Sequence, residues 1–385
     1  MMQYRVNPKN GDKISALGHG GMHLSRDEQA FERQLIHAIE SGVNYIDTAY
    51  IYPGSEAAIG KVLAKGCRDR VFLADKLPPY LVHKYEDFDK VFLKQLARLQ
   101  TDRVEYYMVH MLPNAAEFAR LRDLGLLDWL AAKRAAGQVV NFGFSYHGGT
   151  PEFKKIIDCH DWDFTMIQYN FYDENSQAGK AGLLYAAEKG MPVMVMEPLR
   201  GGSLVNKLPE KAKKVWAQAQ PQRSPAEWAL RWVWNHPQVV TALSGMANQT
   251  VLEENLRTVS DALPNALSAA ELALFAEVRS AIAEKTRVPC TGCAYCMPCP
   301  KGVDIPMCFS TLNDAAMGGK MNAQVQYIMR NYNHQASLCS ECGKCEKHCP
   351  QDIAIRAELK NVQKALEGVL YKPLRFGIKT FMKLK

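Results

Sequence analysis

No run of apolar residues in this 385-residue chain approaches the roughly 20 that a membrane span requires. The opening residues, M-M-Q-Y-R-V-N-P-K-N-G, lack the apolar core of a secretory leader. Both absences make a cytoplasmic protein with no membrane partner the expectation. Of the eleven cysteines, only Cys67 and Cys159 fall in the first 289 residues, so no disulfide framework is expected there. No G-x-G-x-x-G follows the first apolar strand, which leaves an open doubly wound sheet without support. Charge of one sign is also scarce outside the tail. The formal net charge is +7, and eight Lys or Arg against two Glu between Arg356 and Lys385 account for most of it. The near-neutral remainder argues against a nucleic-acid partner.

The length allows two domains, and 47% hydrophobic with 23% charged residues suits an ordinary globular core. Asn10-Gly11-Asp12 is turn chemistry and predicts a hairpin over residues 4–14. Strands are then predicted at 14–24, from Asn44, and at 71–76, 104–110, 139–145, 164–168, 192–197 and 239–244. Helices alternate with them. Ser25 to Glu28 and Ser224 to Glu227 read as capping boxes. Thr150-Pro151 reads as a cap followed by a first-turn proline. A helix is expected over 175–189, and Trp228, Trp232 and Trp234 read as packing. Eight strands alternating with helices give an α/β fold, a (β/α)8 TIM barrel. Gly18, Gly20 and Gly21 in the first strand allow either a ligand close to the backbone or a tight bend.

Three consecutive strands end in titratable groups. N-Y-I-D-T-A-Y-I-Y-P-G carries Asp47 and Tyr52, V-F-L-A-D-K ends on Lys76, and V-E-Y-Y-M-V-H ends on His110. Strand C-termini form the mouth of such a barrel, where chemistry occurs. The set resembles the catalytic tetrad of the aldo-keto reductases, and the resemblance covers residues 1–285. It implies a nicotinamide cofactor, NAD(P)H, and a small-molecule carbonyl substrate. Tyr52 would protonate the carbonyl oxygen as hydride reaches carbon. Lys76 would lower the phenol's pKa from about 10, Asp47 would hold Lys76, and His110 would orient the carbonyl. Ser145 and Gln168 match the family's carboxamide contacts. Tyr146 stands where the family usually has Asn. Met196 replaces a stacking aromatic ring, and a thioether can still pack on a ring. The segment L-S-G-M-A-N-Q-T-V-L-E-E-N, from Leu243 through Ser244 to Asn255, resembles the adenosine-phosphate segment, with Glu254 and Asn255 at its adenine contacts. Gly245 and Val251 stand where basic residues grip a 2′-phosphate, so weak discrimination for NADP, or a preference for NAD, is expected.

Nine cysteines cluster between Cys290 and Cys349. Cys339, Cys342, Cys345, Cys349 and Pro350 have the C-x2-C-x2-C-x3-C-P spacing of bacterial 4Fe–4S ferredoxins. Cys290, Cys293, Cys296, Cys299 and Pro300 repeat it with a last gap one residue shorter. Two clusters are expected. By the ferredoxin crossover, Cys290, Cys293, Cys296 and Cys349 hold one, and Cys339, Cys342, Cys345 and Cys299 the other. A four-thiolate zinc site is the alternative. Cys308 reads as a small buried residue. Helices are predicted over 307–316 and 322–330, so the domain is a small, mainly helical iron–sulfur module rather than a compact ferredoxin. The expected division is a barrel over 1–285, a ferredoxin-type domain over 286–355 and a basic amphipathic tail over 356–385.

A nicotinamide gives two electrons as hydride, whereas a cluster takes one at a time. Three functions follow: a carbonyl reductase whose clusters shape a lid, a flavin in the barrel that splits electron pairs, or an electron carrier for a redox protein partner with the barrel as scaffold.

Overall fold

A computed structural model describes the chain except for residues 23, 25, 26, 207, 285, 291–295, 319, 350–352 and 383–385, and the side chains of 317, 318 and 379–382. Packing divides it into two compact units: Met1–Gly201 with Ala226–Ala269, and Gly202–Pro225 with Ala270–Lys385.

The first unit opens with an antiparallel hairpin, β1 (Tyr4–Val6) against β2 (Lys13–Ser15). Its turn is held by Asn10 Oδ1, which accepts from Asp12 N at 2.9 Å, with Gly11 at φ +81°. Eight parallel strands follow: β3 (Leu17–Gly20), β4 (Tyr45–Asp47), β5 (Phe72–Leu77), β6 (Val104–Val109), β7 (Val139–Tyr146), β8 (Phe164–Gln168), β9 (Val193–Met196) and β10 (Val239–Ser244). They close into a barrel in sequence order, with β10 pairing to both β9 and β3. The interior is filled, not open. Tyr45, Tyr106, Met108, Phe164, Met166 and Met194 are buried in one core, and the Tyr106 ring packs edge-on to Phe164 and Tyr45 at 5.1 and 5.4 Å. Each such side chain stabilises the fold by about 1.5–3 kcal/mol on burial. The Tyr106 hydroxyl donates to Asp12 Oδ2 at 2.6 Å and accepts from Asn7 Nδ2 at 3.1 Å. This ties the hairpin to the barrel core.

Helix periodicity explains the outer layer. Phe88, Val91, Phe92, Leu96 and Leu99 line one buried face of the helix Glu86–Leu99, where Phe88 stacks on Trp129 at 5.6 Å. Several expected boundaries move for local reasons. The predicted first strand splits into β2 and β3. Asp27 caps the helix Glu28–Glu40 by accepting from Gln29 N and Ala30 N, while Ser25 lies outside the described residues. Gly149, not Thr150, caps the helix Thr150–Asp158. The Thr150 hydroxyl instead donates to Gln177 O and Ala178 O at 3.2 and 3.0 Å. Gln177 and Gly179 have positive φ, which delays the next helix to Gly179–Glu188. Trp228, Trp232 and Trp234 are buried as expected, and Trp234 Nε1 donates to Ala16 O at 2.8 Å.

The second unit is helical. Ile305–Gly318, Lys320–Arg330, Ile355–Leu366 and Tyr371–Met382 follow its cysteine segments. Phe309, Leu312, Tyr327, Ile328, Leu359 and Val362 form its core. It also takes in the helix Glu210–Gln218, whose Trp216 meets Phe275 edge-on at 5.1 Å. Among the described residues no helix is long and apolar enough to cross a membrane.

Candidate functional site

The C-terminal ends of β4, β5 and β6 bring together four of the expected side chains. Asp47 ends β4, Lys76 lies near the end of β5, and His110 follows β6. Tyr52 follows β4 in a turn in which Tyr52 N donates to Ala49 O at 2.9 Å. Lys76 Nζ donates to Asp47 Oδ1 and Oδ2 at 2.7 and 2.6 Å, and to Thr48 O at 2.6 Å. Lys76 is 1% exposed. Its ammonium stands 5.0 Å from the centre of the Tyr52 ring, and that ring meets His110 edge-on at 6.0 Å.

Burial and charge compete here. Burial pulls the Lys76 ammonium down, but Asp47, Tyr52 and Asp75 outweigh it and leave Lys76 above the usual lysine value. The cation is therefore held charged. Burial pushes the Asp47 carboxyl up, with Lys76 opposing it. Tyr52 departs from the expectation that its lysine neighbour lowers it. Burial is the larger effect and raises the phenol, while Lys76 pulls it down by charge and by hydrogen bonding, and Asp47 and Glu197 push it up. His110 is driven well below the ordinary imidazole value by burial first, then by Lys76 and His147. It is a neutral ring, and its Nδ1 is buried with no hydrogen-bond partner among the described residues.

A second acidic layer lies behind Lys76, which the sequence reading did not single out. Asp75 is fully buried, and its Oδ1 accepts from Lys76 N at 2.8 Å. Glu56, also buried, accepts from Arg98 Nη1 at 2.6 Å. Burial, then the charge of Glu56, pushes the Asp75 carboxyl well up. Burial and Glu56 thus favour the protonated carboxyl of Asp75, while Lys76 opposes them through its amide and its charge. Glu56 and Arg98 are 42 positions apart, which leaves no local pattern to read.

The expected cofactor residues fall at the ends of later strands. Ser145 Oγ accepts from Met111 N at 2.8 Å. Gln168 Nε2 donates to Asp173 Oδ2 at 3.0 Å, and its Oε1 accepts from Gln177. Asp173 also pairs with Arg200 at 3.1 Å, both side chains 8% exposed. Asp173, Gln177 and Arg200 are further residues missed in the sequence. Met196 packs against the barrel core. Tyr146 turns away to stack obliquely near Phe153, and its hydroxyl donates to Gly149 O at 2.8 Å. Ser244, at the end of β10, accepts from Asn255 Nδ2 at 2.7 Å. Asn255 and Glu254 lie on the helix Gln249–Val259, capped by Asn248. Asn255 is fully buried, yet its Oδ1 has no partner among the described residues. An orphaned acceptor of this kind suits an amino group brought by a ligand. Gly21 has a different reason for being glycine: a Cβ there would stand 2.5 Å from Ser55 Oγ and 2.8 Å from Asp47 O.

In the second unit, Cys290, Cys296, Cys299, Cys339, Cys345 and Cys349 are half-buried against the helical core, and Cys342 is exposed. Cys293 and Pro350 lie outside the described residues. Cys308 is fully buried, accepts from Asn331 Nδ2 at 3.3 Å and is a packing residue. Among the described residues no three Cys, His, Asp or Glu side chains converge on a single metal ion. A cubane places each thiolate on its own iron, so its ligands spread wider than those of one zinc. Glu341 N donates to Cys339 Sγ at 3.4 Å, the kind of contact that tunes a cluster. The all-thiol donor set fits iron–sulfur chemistry.

Comparison with known proteins agrees with both units. Residues 16–275 match the aldo/keto reductase family, and residues 289–354 match a 4Fe-4S dicluster domain. Protein tas of Escherichia coli is 24% identical, over 67% of this chain and 93% of its own. The 6-dehydroglucose reductase of Novosphingobium aromaticivorans is 28% identical, over 63% and 85%. Among solved structures, an aldo-keto reductase from Bacillus halodurans in its holo form superposes with a TM-score of 0.60 at 24% identity, covering 72% of this chain and 96% of that one. One from Klebsiella pneumoniae in complex with NADPH gives 0.60 at 22%, with the same coverage. The barrel order and the extent of these matches make the chain a member of the aldo/keto reductase family, an oxidoreductase fold joined to a C-terminal 4Fe-4S dicluster domain.

Proposed function

We propose that the barrel unit reduces an aldehyde or ketone with hydride from a nicotinamide, and that the helical unit carries two 4Fe–4S clusters. The observation that carries the first part is the buried Lys76 ammonium, fixed by Asp47 and facing Tyr52, with a neutral His110 against the same ring. A bound nicotinamide would supply the hydride. Tyr52 would give its proton to the carbonyl oxygen. Lys76 would hold the phenolate left behind, and Asp47 would keep Lys76 charged. Neutral His110 would donate one hydrogen bond to the carbonyl and fix its direction.

Ser145, Gln168 and Met196 would border the nicotinamide, and Ser244, Glu254 and Asn255 the adenosine. The orphaned Asn255 oxygen supports an adenine amino group there, and the NADPH-bound Klebsiella neighbour supports the cofactor class. Gly245 and Val251 offer a 2′-phosphate no charge, which supports NADH being used at least as well as NADPH. The eight thiols from Cys290 to Cys349 other than Cys308 would hold the clusters in the crossed pattern.

The test uses anaerobically purified protein. Iron and sulfide are assayed, and the visible spectrum is taken before and after NADH and then NADPH. Aldehydes and ketones are then screened with each nucleotide. Turnover that Tyr52→Phe removes, on a sample with about eight irons per chain, is the expected result. Turnover unaffected by Tyr52→Phe would refute the assignment at the barrel mouth.

A further inference from the structure

We infer that the exposed edge of the second cysteine run is a docking face for an acidic one-electron carrier protein. This rests on the reading that the unit holds clusters, and names the partner they would serve.

Cys339, Cys345 and Cys349 pack against the helical core, whereas Cys342 is exposed. A cluster on this run would come nearest to solvent at Cys342. The loop that carries Cys342 is clamped to the helix Ile355–Leu366. Glu346 takes Arg356 through three contacts: from Nε at 2.8 Å, from Nη2 at 2.7 Å and from the backbone N at 2.9 Å. Glu341 pairs with Lys360 at 2.8 Å. Arg356 lies over Gly343, where a Cβ would stand 3.5 Å from the guanidinium.

These pairs consume the acids of the loop. Glu367 accepts from the Tyr327 hydroxyl at 2.6 Å and Ser337 N at 3.2 Å, and Glu358 from Asn361 Nδ2 at 3.1 Å; these donors are neutral and leave both carboxylates charged. Lys344 and Lys347 flank Cys345, are exposed, and have no ion pair among the described residues. Arg356, Lys360 and Lys364 recur every fourth residue on the solvent face of the helix, opposite Ile355, Leu359, Val362 and Leu366. Leu338, beside Cys339, is an exposed apolar residue. A small apolar spot, an outward thiol and the two unpaired lysines, Lys344 and Lys347, match a weak, rapidly exchanging redox contact. Its charge selects an acidic partner. The exposed pairs Lys360–Glu341 and Arg356–Glu346 are individually worth little, so a partner's carboxylates can compete for their cations. At each encounter one electron crosses. The carrier is oxidised by one electron, the cluster is reduced by one, and no bond forms or breaks.

The experiment uses the full chain with its iron content assayed, and an acidic plant-type ferredoxin as probe. Binding is measured by calorimetry or surface plasmon resonance at 20 and 200 mM salt. Affinity is expected to fall about tenfold or more in the Lys344→Glu/Lys347→Glu variant and with added salt. A Lys90→Glu/Lys214→Glu control of equal charge change should stay within about twofold. Equal binding by the loop variant and the unaltered chain would overturn the proposal. So would an equal loss in the control, or binding to anionic vesicles in place of the ferredoxin. A chain without iron would instead remove the cluster reading on which the proposal stands, and the assay reports that separately.

Discussion

The two units build their chemistry in opposite ways. At the barrel mouth the groups complete one another. Lys76 has Asp47 and Thr48, Asp75 has the Lys76 amide, and Ser244 has Asn255. In the helical unit the described cluster thiols sit on loops, most of them half-buried against a core. The first is an assembled device waiting for a ligand. The second is a set of donors that their inorganic group would organise. Sites made from side chains can be preorganised by the fold alone, whereas thiolate sites rely on the metal for part of their order.

The sharpest way to break this contrast is Tyr52→Phe. Carbonyl turnover is expected to fall about 10²–10⁴-fold with iron content and nucleotide affinity unchanged, read by steady-state kinetics and iron assay. Lys76→Met should come next. It leaves the Asp47 charge buried without its cation, which costs about 3–5 kcal/mol, measured by denaturant unfolding. An unchanged midpoint would show that Asp47 is not ionised in the fold. Chelating the iron should loosen hydrogen-exchange protection in residues 286–366 while leaving the strands β4 to β6 protected. Equal loosening of both would erase the distinction between the units. A smaller effect is expected from Asn255→Ala, which removes the proposed adenine acceptor and should raise the nucleotide KM about 2–10-fold with kcat retained.

The mildest test is of pH. The folded state holds His110 far below the ordinary imidazole value, while the unfolded chain binds that proton near pH 6.5. The unfolded state then carries more protons, so stability falls as pH drops below about 6.5. His110→Gln should flatten the acid side of the stability profile below about pH 6.5. A profile of unchanged slope would mean that other groups govern it.

How much the sequence revealed follows the range of each interaction. Seven of the eight barrel strands follow local patterns and were readable to within a residue or two; the first, expected over 14–24, is the shorter Leu17–Gly20 because the residues before it pair in the hairpin. Asp47, Tyr52, Lys76 and His110 were readable because each ends or follows a strand, and parallel closure brings strand ends together. Asp75, Glu56 and the Asp173–Arg200 pair were not. Their importance lies in partners distant in the chain and in burial that no window displays. The phenol of Tyr52 shows the same limit. A cation at close range was foreseeable, but the dry surroundings that outweigh it were not. Thr150 looked like a cap by type, yet its hydroxyl is recruited by two carbonyls of a distant loop.

The enclosure of Lys76 has a practical consequence. An amine reagent needs access and a free lone pair, and this lysine offers neither, being 1% exposed and held as the ammonium. In a lysine-labelling experiment followed by mass spectrometry it would stay unmodified while exposed lysines react. Its peptide would acquire label only when the barrel opens, so one residue would serve as a built-in clock for unfolding of the mouth.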